Sequence, residues 1–479
     1  MRRTMMLSAR WGTGLLVVVS VLGTSSCRRN RFPSRGDAAA VVVVVPRNDA
    51  AGPPKVLEQE PNDSPEQAQL LDINPDWPVR TVEGDLSGAG KGKDVDVFKL
   101  IVPGHKPDPS AQTGTPDSAH ADEPRMSARR LALEIASGGG TALSLQLLDD
   151  GLKSIETISV EPGEVSGMPN MAGLPGRTYY FRVKALAKPG KAQEPTPTGS
   201  PYKLTVQLGD FEISEEREPN DGLETAQTLG LTGTADFAGL FGWQHDQDFY
   251  RIPAPEVASA LDIELDAVEG VAAGLQVLDG GGARIAVGKG RRGERLALHN
   301  VTIPAAVADA GASARSLYVV VRGEAGHNRT QRYVLHLTLG ALKQNAEIEP
   351  NDNPTNATEV HDGTISGFLP VGDVDFFRYT GAGQRDVSFE VACPSRVRGK
   401  LQVVRSSDGQ VLGEAEAKKP RQSVVVSKIQ SLGDPLLIRL SQGRGDGNPN
   451  EPYSLTIISA PSLIQKNGVT NSPSTLNPD

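Results

Sequence analysis

The sequence predicts an all-β protein built as three tandem β-sandwich or jelly-roll modules joined by short linkers. The first observation is a six-residue phrase that occurs three times. It reads Glu58-Gln59-Glu60-Pro61-Asn62-Asp63, Glu216-Arg217-Glu218-Pro219-Asn220-Asp221 and Glu347-Ile348-Glu349-Pro350-Asn351-Asp352. Each copy leads in order to an alanine (Ala68, Ala226, Ala357), an aliphatic (Leu71, Leu229, Val360), an apolar-x-Gly-x-apolar step around Gly84, Gly239 or Gly367, and an Asp-x-Asp-x-aromatic phrase at Asp94, Asp246 or Asp373. Self-similarity at this spacing marks a repeat architecture. The second observation is period-two alternation between Gly- and Asp-containing turns, as in Leu131-Ala132-Leu133-Glu134-Ile135, which places alternate side chains on one face of a strand. The third is composition: 52 Gly, 35 Pro and only 5% aromatic residues suit small turn-rich modules more than one large enzyme core.

In chain order, residues 1–26 read as a lipoprotein signal peptide. Arg2, Arg3 and Arg10 precede the apolar run Leu15 to Leu22, which is too short to span a bilayer but suits a signal h-region. It ends at Gly23-Thr24-Ser25-Ser26-Cys27, which resembles the bacterial lipobox, with Thr24 where an aliphatic is more usual. The resemblance implies acylation of Cys27 and a membrane anchor; the alternative is an ordinary cleaved signal with an incidental cysteine. Arg28 follows Cys27, where an Asp would favour inner-membrane retention, so an outer-membrane lipoprotein facing the periplasm or the cell surface is expected. Residues 27–56 read as the lipidated cysteine and a flexible linker. Cys393 then lacks an intramolecular partner and is expected to be a buried small hydrophobe.

Module one is expected over residues 57–209, with a disordered Pro-, Ser- and Asp-rich insertion at 104–130. Its later strands include Leu143 to Leu147, Thr178 to Val183 and Tyr202 to Val206. Module two, 210–340, and module three, 341–460, repeat the plan, in register through Leu145 to Asp149, Leu275 to Asp279 and Leu401 to Arg405. Each offers seven or eight short strands. Residues 461–479 read as a polar tail.

The acidic phrases carry the chemistry. On an extended segment Glu58, Glu60 and Asn62 share one face, with Asp63 at the following turn. Pro61 favours an extended Glu60 before it. Asp94 and Asp96 can add oxygens from a neighbouring loop, and hard oxygen donors in that number suit calcium better than magnesium. The alternative is purely structural: Asp63 with Glu66, and Asp221 with Glu224, also read as capping boxes for a short helical turn. The third copy has Thr355 in place of that Glu, and capping leaves the upstream glutamates without a role.

The pattern resembles the bacterial pre-peptidase C-terminal domain family, β-sandwich modules that often follow secreted proteases and include the collagen-binding domains of clostridial collagenases. The resemblance covers nearly all of 57–460. Carried over by motif, it implies up to one calcium ion per module, held by Glu58, Glu60, Asn62 and Asp63 with Asp94 or Asp96. In module two the set is Glu216, Glu218, Asn220 and Asp221 with Asp246 or Asp248. In module three it is Glu347, Glu349, Asn351 and Asp352 with Asp373 or Asp375. The sequence lacks His-Glu-x-x-His and Gly-x-Ser-x-Gly, so the expectation is no enzyme. A net charge of −9 gives no basic footprint for nucleic acid. The Arg-Gly-Asp tripeptides at 35–37 and 444–446 are expected to be incidental. The expected function is binding or adhesion to an extracellular or periplasmic protein or polysaccharide, with an accessory subunit of a secreted protease or envelope complex as the alternative.

Overall fold

In the computed structural model the described residues are 55–86, 94–104, 128–186, 199–305, 316–381, 384–443 and 446–461. The expected signal peptide, Cys27, the linker up to residue 54, most of the insertion, Arg444 and the tail from 462 lie outside them. The described residues contain no α-helix, and β-strands make the tandem sandwiches the repeat calls for.

Module 1 comprises β1 (Lys55–Leu57), β2 (Gln69–Leu70), β3 (Val79–Asp85), β4 (Val95–Ile101), β5 (Arg129–Ser137), β6 (Leu143–Leu148), β7 (Ser154–Val160), β8 (Val165–Gly173), β9 (Thr178–Ala185) and β10 (Pro201–Asp210). They form two five-stranded sheets, β1-β3-β10-β5-β8 and β2-β4-β9-β6-β7. Module 2 comprises β11 (Gln227–Thr228), β12 (Thr234–Phe241), β13 (Gln247–Pro253), β14 (Ser259–Leu265), β15 (Ala272–Leu278), β16 (Arg284–Arg292), β17 (Leu296–Ile303), β18 (Ser316–Ala325) and β19 (Asn328–Gly340). Its sheets are β11-β13-β18-β15-β16 and β12-β19-β14-β17. Module 3 comprises β20 (Thr358–Val360), β21 (Gly363–Leu369), β22 (Val374–Tyr379), β23 (Arg385–Ala392), β24 (Gly399–Arg405), β25 (Val411–Glu416), β26 (Val424–Gln430), β27 (Leu436–Gln442) and β28 (Asn448–Pro461), in sheets β20-β22-β27-β24-β25 and β21-β28-β23-β26.

Among the described residues each module has nine or ten strands, against the seven or eight expected. The extra ones are very short parallel strands such as β2 and β11, and edge strands whose outer residues alternate poorly. The insertion ends earlier than expected: Ala128 is buried, and Arg129 and Arg130 already belong to β5. Inward residues fill each sandwich, for example Leu131, Leu133 and Ile135 of β5 against Leu143, Leu145 and Leu147 of β6. Cys393 is free and buried within the third core, and burial pushes its thiol up.

One irregularity recurs in all three modules. The edge strands β8, β17 and β26 each carry a bulge, between Met168 and Met171, Leu298 and Val301, and Val426 and Ile429. A bulge leaves one residue unpaired and re-aims the edge. In modules 1 and 2 that edge receives the acidic phrase of the next module as a parallel bridge, Met171 to Glu218 and Val301 to Glu349. Around the first junction, Glu215 is buried between Arg130 (2.9 Å) and Arg332 (2.7 Å), and Trp243 of module 2 packs into the core of module 1. At the second, His299 stacks on Phe368 with ring centroids 4.0 Å apart.

Candidate metal centres

Each acidic phrase is fixed by backbone hydrogen bonds at both ends. At the first glutamate, Glu58, Glu216 and Glu347 donate their N–H to Glu83 O (3.1 Å), Ala238 O (2.9 Å) and Ser366 O (2.8 Å). At the asparagine, the carbonyls of Asn62, Asn220 and Asn351 accept from Val97 (2.9 Å), Phe249 (3.0 Å) and Phe376 (2.9 Å) in the strand of the second acidic phrase. The two phrases therefore meet in the same register in every module. The peptide bond between the second glutamate and the proline is cis in all three.

The alternation of an extended segment puts the two glutamates and the asparagine on one side, and the later aspartate faces them. Glu58, Glu60 and Asp96 form one such group, Glu216, Glu218 and Asp248 the second, and Glu347, Glu349 and Asp375 the third; in each, one oxygen per residue lies within 4.8 Å of the others. The second Asp of each Asp-x-Asp pair is thus the one that joins both glutamates. In module 2 the first Asp has its own place: Glu218, Asp221 and Asp246 make an adjoining group within the same 4.8 Å limit. Asp63 sits further out and accepts from Val95 N–H at 3.4 Å.

The carboxylates divide their oxygens between the fold and the interior. In module 2, Glu216 accepts from Leu240 N–H (2.7 Å), Glu218 from Asn220 N–H (2.5 Å), Asp246 from Gly242 N–H (2.6 Å) and Asp248 from the Tyr333 hydroxyl (2.6 Å). The other oxygen of each is buried without a partner, as is the whole Asn220 amide. Module 3 repeats this: Glu347 accepts from Phe368 N–H (2.5 Å) and Tyr453 (2.7 Å), while both Asp375 oxygens, Asp373 Oδ2 and the Asn351 amide are left without partners. In module 1 one end of the Asn62 amide faces carboxylate oxygens. In one orientation its Nδ2 donates to Asp96 Oδ1 (3.3 Å) and Glu60 Oε2 (3.2 Å); in the other its Oδ1 joins the ring of carboxylate oxygens, as a metal ligand would.

Electrostatics point the same way. Burial first, then neighbouring carboxylates, push Asp96 up to about 8 and Glu349 up to about 8. Burial also lifts Glu347 to about 7 and Asp248 to about 6, and drives Glu216, Glu218, Asp246, Asp373 and Asp375 well above the ordinary range. Among the described residues no Lys or Arg pairs with these buried carboxylates of modules 2 and 3. An uncompensated buried charge costs several kcal/mol, and a bound cation inverts that balance. Oxygen-only donors, several of them orphaned, fit a hard divalent cation of calcium type.

Two features of the site were not identified from the sequence. The first is a buried tyrosine, Tyr202, Tyr333 or Tyr453, whose hydroxyl donates to Asp96, Asp248 or Glu347. Burial pushes each phenol up, so it stays a neutral donor. The second explains the repeated glycine. A Cβ on Gly84, Gly239 or Gly367 would come within 2.4, 2.2 and 2.3 Å of that tyrosine hydroxyl. The signal was present: a tyrosine opens the last alternating segment of each module. The capping boxes do not form. In module 3 the short 3-10 turn Pro354–Asn356 is capped by Asn353, not by Asp352.

No family model matches the chain, and no curated protein matches it. Among solved structures, the chain is similar to the CUB1-EGF-CUB2 domain of human MASP-1/3 (8% identity, 54% of this chain and 99% of that chain, TM-score 0.16). It is also similar to the PBSX exported protein XepA (10% identity, 54% and 86% covered, TM-score 0.16). A third is the structure of Sulfolobus Turreted Icosahedral Virus (11% identity, 69% and 78% covered, TM-score 0.14).

Proposed function

We propose that this chain is a non-enzymatic, lipid-anchored envelope protein whose β-sandwich modules are clamped by calcium and serve in binding or adhesion to a protein or polysaccharide partner. The observation that carries the metal reading is the recurrence, in three modules, of two glutamates and an aspartate whose oxygens lie within 4.8 Å of one another beside an asparagine, with several of the oxygens in modules 2 and 3 buried without a partner. Glu216, Glu218, Asn220 and Asp248 would hold the ion in module 2, with Asp221 and Asp246 beside them. Glu347, Glu349, Asn351 and Asp375 would do so in module 3, and Glu58, Glu60, Asn62 and Asp96 in module 1. When bound, calcium supplies the positive charge that these carboxylates lack. The chain's own part is to hold the acidic phrase against the second sheet through Asn62, Asn220 and Asn351. A row of similar modules then offers several weak contacts to a repetitive partner, which gain by avidity.

Thermal unfolding of the purified chain in EGTA and in millimolar calcium tests the metal reading. Calcium at 100 times its dissociation constant adds about 2.7 kcal/mol to each site, so the transitions rise by several degrees. Glu218→Gln with Asp248→Asn removes the gain in module 2 alone. Superimposable curves would sink the calcium reading. Immobilised chain exposed to envelope polysaccharide and to secreted proteins, with and without calcium, then reads the partner. Stoichiometric recovery of a hydrolase would replace adhesion by the role of an accessory subunit.

A further inference from the structure

The edge strand that joins the modules exists three times, and among the described residues it is used twice. At the first junction Glu218 donates its N–H to Asn170 O (3.0 Å), and Ala172 N–H donates to Glu218 O (2.7 Å). At the second, Glu349 donates to Asn300 O (3.3 Å), and Thr302 N–H donates to Glu349 O (2.7 Å). The acceptor residue is the bulged one in both cases. Module 3 carries the same device. In β26, Ser427 and Lys428 together face Ser388, the bulge falls at the same register, and Lys428 adopts φ 59°, close to the φ 50° of Asn300. A bulky residue held in the left-handed region is uncommon, so the bulge is specified here too. The sheet ends at β26, and among the described residues no strand or bridge covers that edge. By the register of the two used copies, Lys428 O and Gln430 N–H face outwards. The flanking sheet face exposes two apolar side chains: Val425 is 50% and Ile458 64% exposed. Their counterparts Gly167 and Gln207 line a 180 Å³ cleft between modules 1 and 2, and Ala297 lines a 190 Å³ cleft between modules 2 and 3.

The complementary surface is also uncovered. Glu218 and Glu349 are buried at their junctions, but Glu60, at the same place in module 1, is exposed, and among the described residues its backbone has no partner. Leu57 is 70% exposed where Glu215 is buried. Lys428 occupies the backbone position at which Asn300 donates its Nδ2 to Glu347 O (2.6 Å), so a cationic side chain stands at the place where an acidic phrase docks in module 2. An open bulged edge and an acidic phrase whose Glu60 backbone has no partner among the described residues are the two halves of one contact. We propose that the acidic phrase of a second copy, Glu58 to Glu60, adds to β26 and that the chain assembles head to tail. Such a heterologous contact gives open filaments or closed rings rather than a two-fold dimer.

Sedimentation velocity of the purified full chain in millimolar calcium, from about 1 to about 100 µM, tests this, since single contacts of this size come apart in the micromolar range. The weight-average mass should rise about twofold or more across the series. Gln430→Pro removes only the outward N–H at an edge position that tolerates proline, and Lys428→Glu opposes the acidic phrase. Both should hold the chain monomeric with unchanged unfolding transitions. A Gln430→Pro chain keeps its own acidic phrase, so added to the wild type it should cap growth and lower the mean mass. A monomer at every concentration overturns the proposal. So does assembly that both variants leave intact, and so does assembly that begins only when residues 462–479 are removed, which would assign the edge to the chain's own tail.

Discussion

Tyr333→Phe is the most direct probe of how the module 2 centre is held. The change deletes one oxygen. That hydroxyl donates to Asp248 Oδ2 at 2.6 Å and lies 2.6 Å from the Tyr250 hydroxyl, and all three residues are fully buried. Without it, two buried oxygen atoms lose their partner inside a site that already holds several orphaned ones. Each such loss costs about 1–3 kcal/mol, so module 2 should lose about 2–6 kcal/mol. At about 3–5 °C per kcal/mol for a domain near this size, its transition should fall by roughly 10 °C. Scanning calorimetry of wild type and variant, in EGTA and in millimolar calcium, resolves the module 2 transition from its neighbours. The ring itself remains, so packing changes little and the loss reports on the hydroxyl. A fall under about 2 °C in both conditions would refute the reasoning: the hydroxyl would then not hold Asp248, and the tyrosine would be core filling only.

Other outcomes follow from the same contacts. Gly367→Ala places a methyl 2.2 Å from Glu347 Oε2 and 2.3 Å from the Tyr453 hydroxyl, so it should destabilise module 3 by about 1–3 kcal/mol and weaken its calcium response, read by denaturant unfolding. Asn300→Ala removes the Nδ2 bond to Glu347 O (2.6 Å) and the acceptor of Lys343 N–H (3.1 Å), so amide exchange at residues 343–349 should accelerate while the module 2 core stays protected. His336 lies between Asp236 (2.7 Å) and Asp266 (3.3 Å). Desolvation lowers its affinity for a proton, but the two carboxylates outweigh this and raise it. A raised histidine contributes stability fully below its unfolded value near 6.5, lost as pH rises through the higher folded value, so the stability gap between wild type and His336→Gln should close as pH rises above about 6.5. The gap should stay under about 1 kcal/mol, because the pair is largely solvated.

Period-two alternation placed the long strands well, because inward residues such as Leu131, Leu133 and Ile135 leave no choice of face. The short parallel strands were invisible. β2 and β11 are two residues each, held by backbone pairing to β4 and β13 that no side-chain period reports. The acidic residues were legible because they recur at fixed spacing and because Pro and alternation constrain the segment. Which aspartate of each Asp-x-Asp pair faces the glutamates was not legible. That choice follows from the register fixed at Asn62, Asn220 and Asn351, a tertiary contact. The tyrosine was hidden for a different reason: at the start of an alternating strand a tyrosine reads as core, and only the glycine opposite it, too close for any Cβ, shows that its hydroxyl has a task.

A strand has two kinds of surface, and the repeated phrase uses both. Its side chains turn inward, where Glu216, Glu218 and Asn220 meet Asp248, while the backbone of Glu218 turns outward to Asn170 and Ala172 of the preceding module. Glu349 does the same with Asn300 and Thr302. Mutual repulsion among bare carboxylates therefore acts on the same few residues that splice one module to the next. On the calcium reading proposed above, neutralising the cluster would stabilise the backbone conformation that the splice requires, and a formed splice would hold the carboxylates in place for an ion. In module 1, where among the described residues no preceding edge pairs with Glu60, the group is more open to solvent and that mutual support is not seen. Ion affinity should accordingly be weakest in module 1. Titration of Glu218→Gln and Glu349→Gln double variants, which leave only the first site whole, should give the shallowest calcium response. A first site that binds more tightly than the other two would break the link between splice and ion.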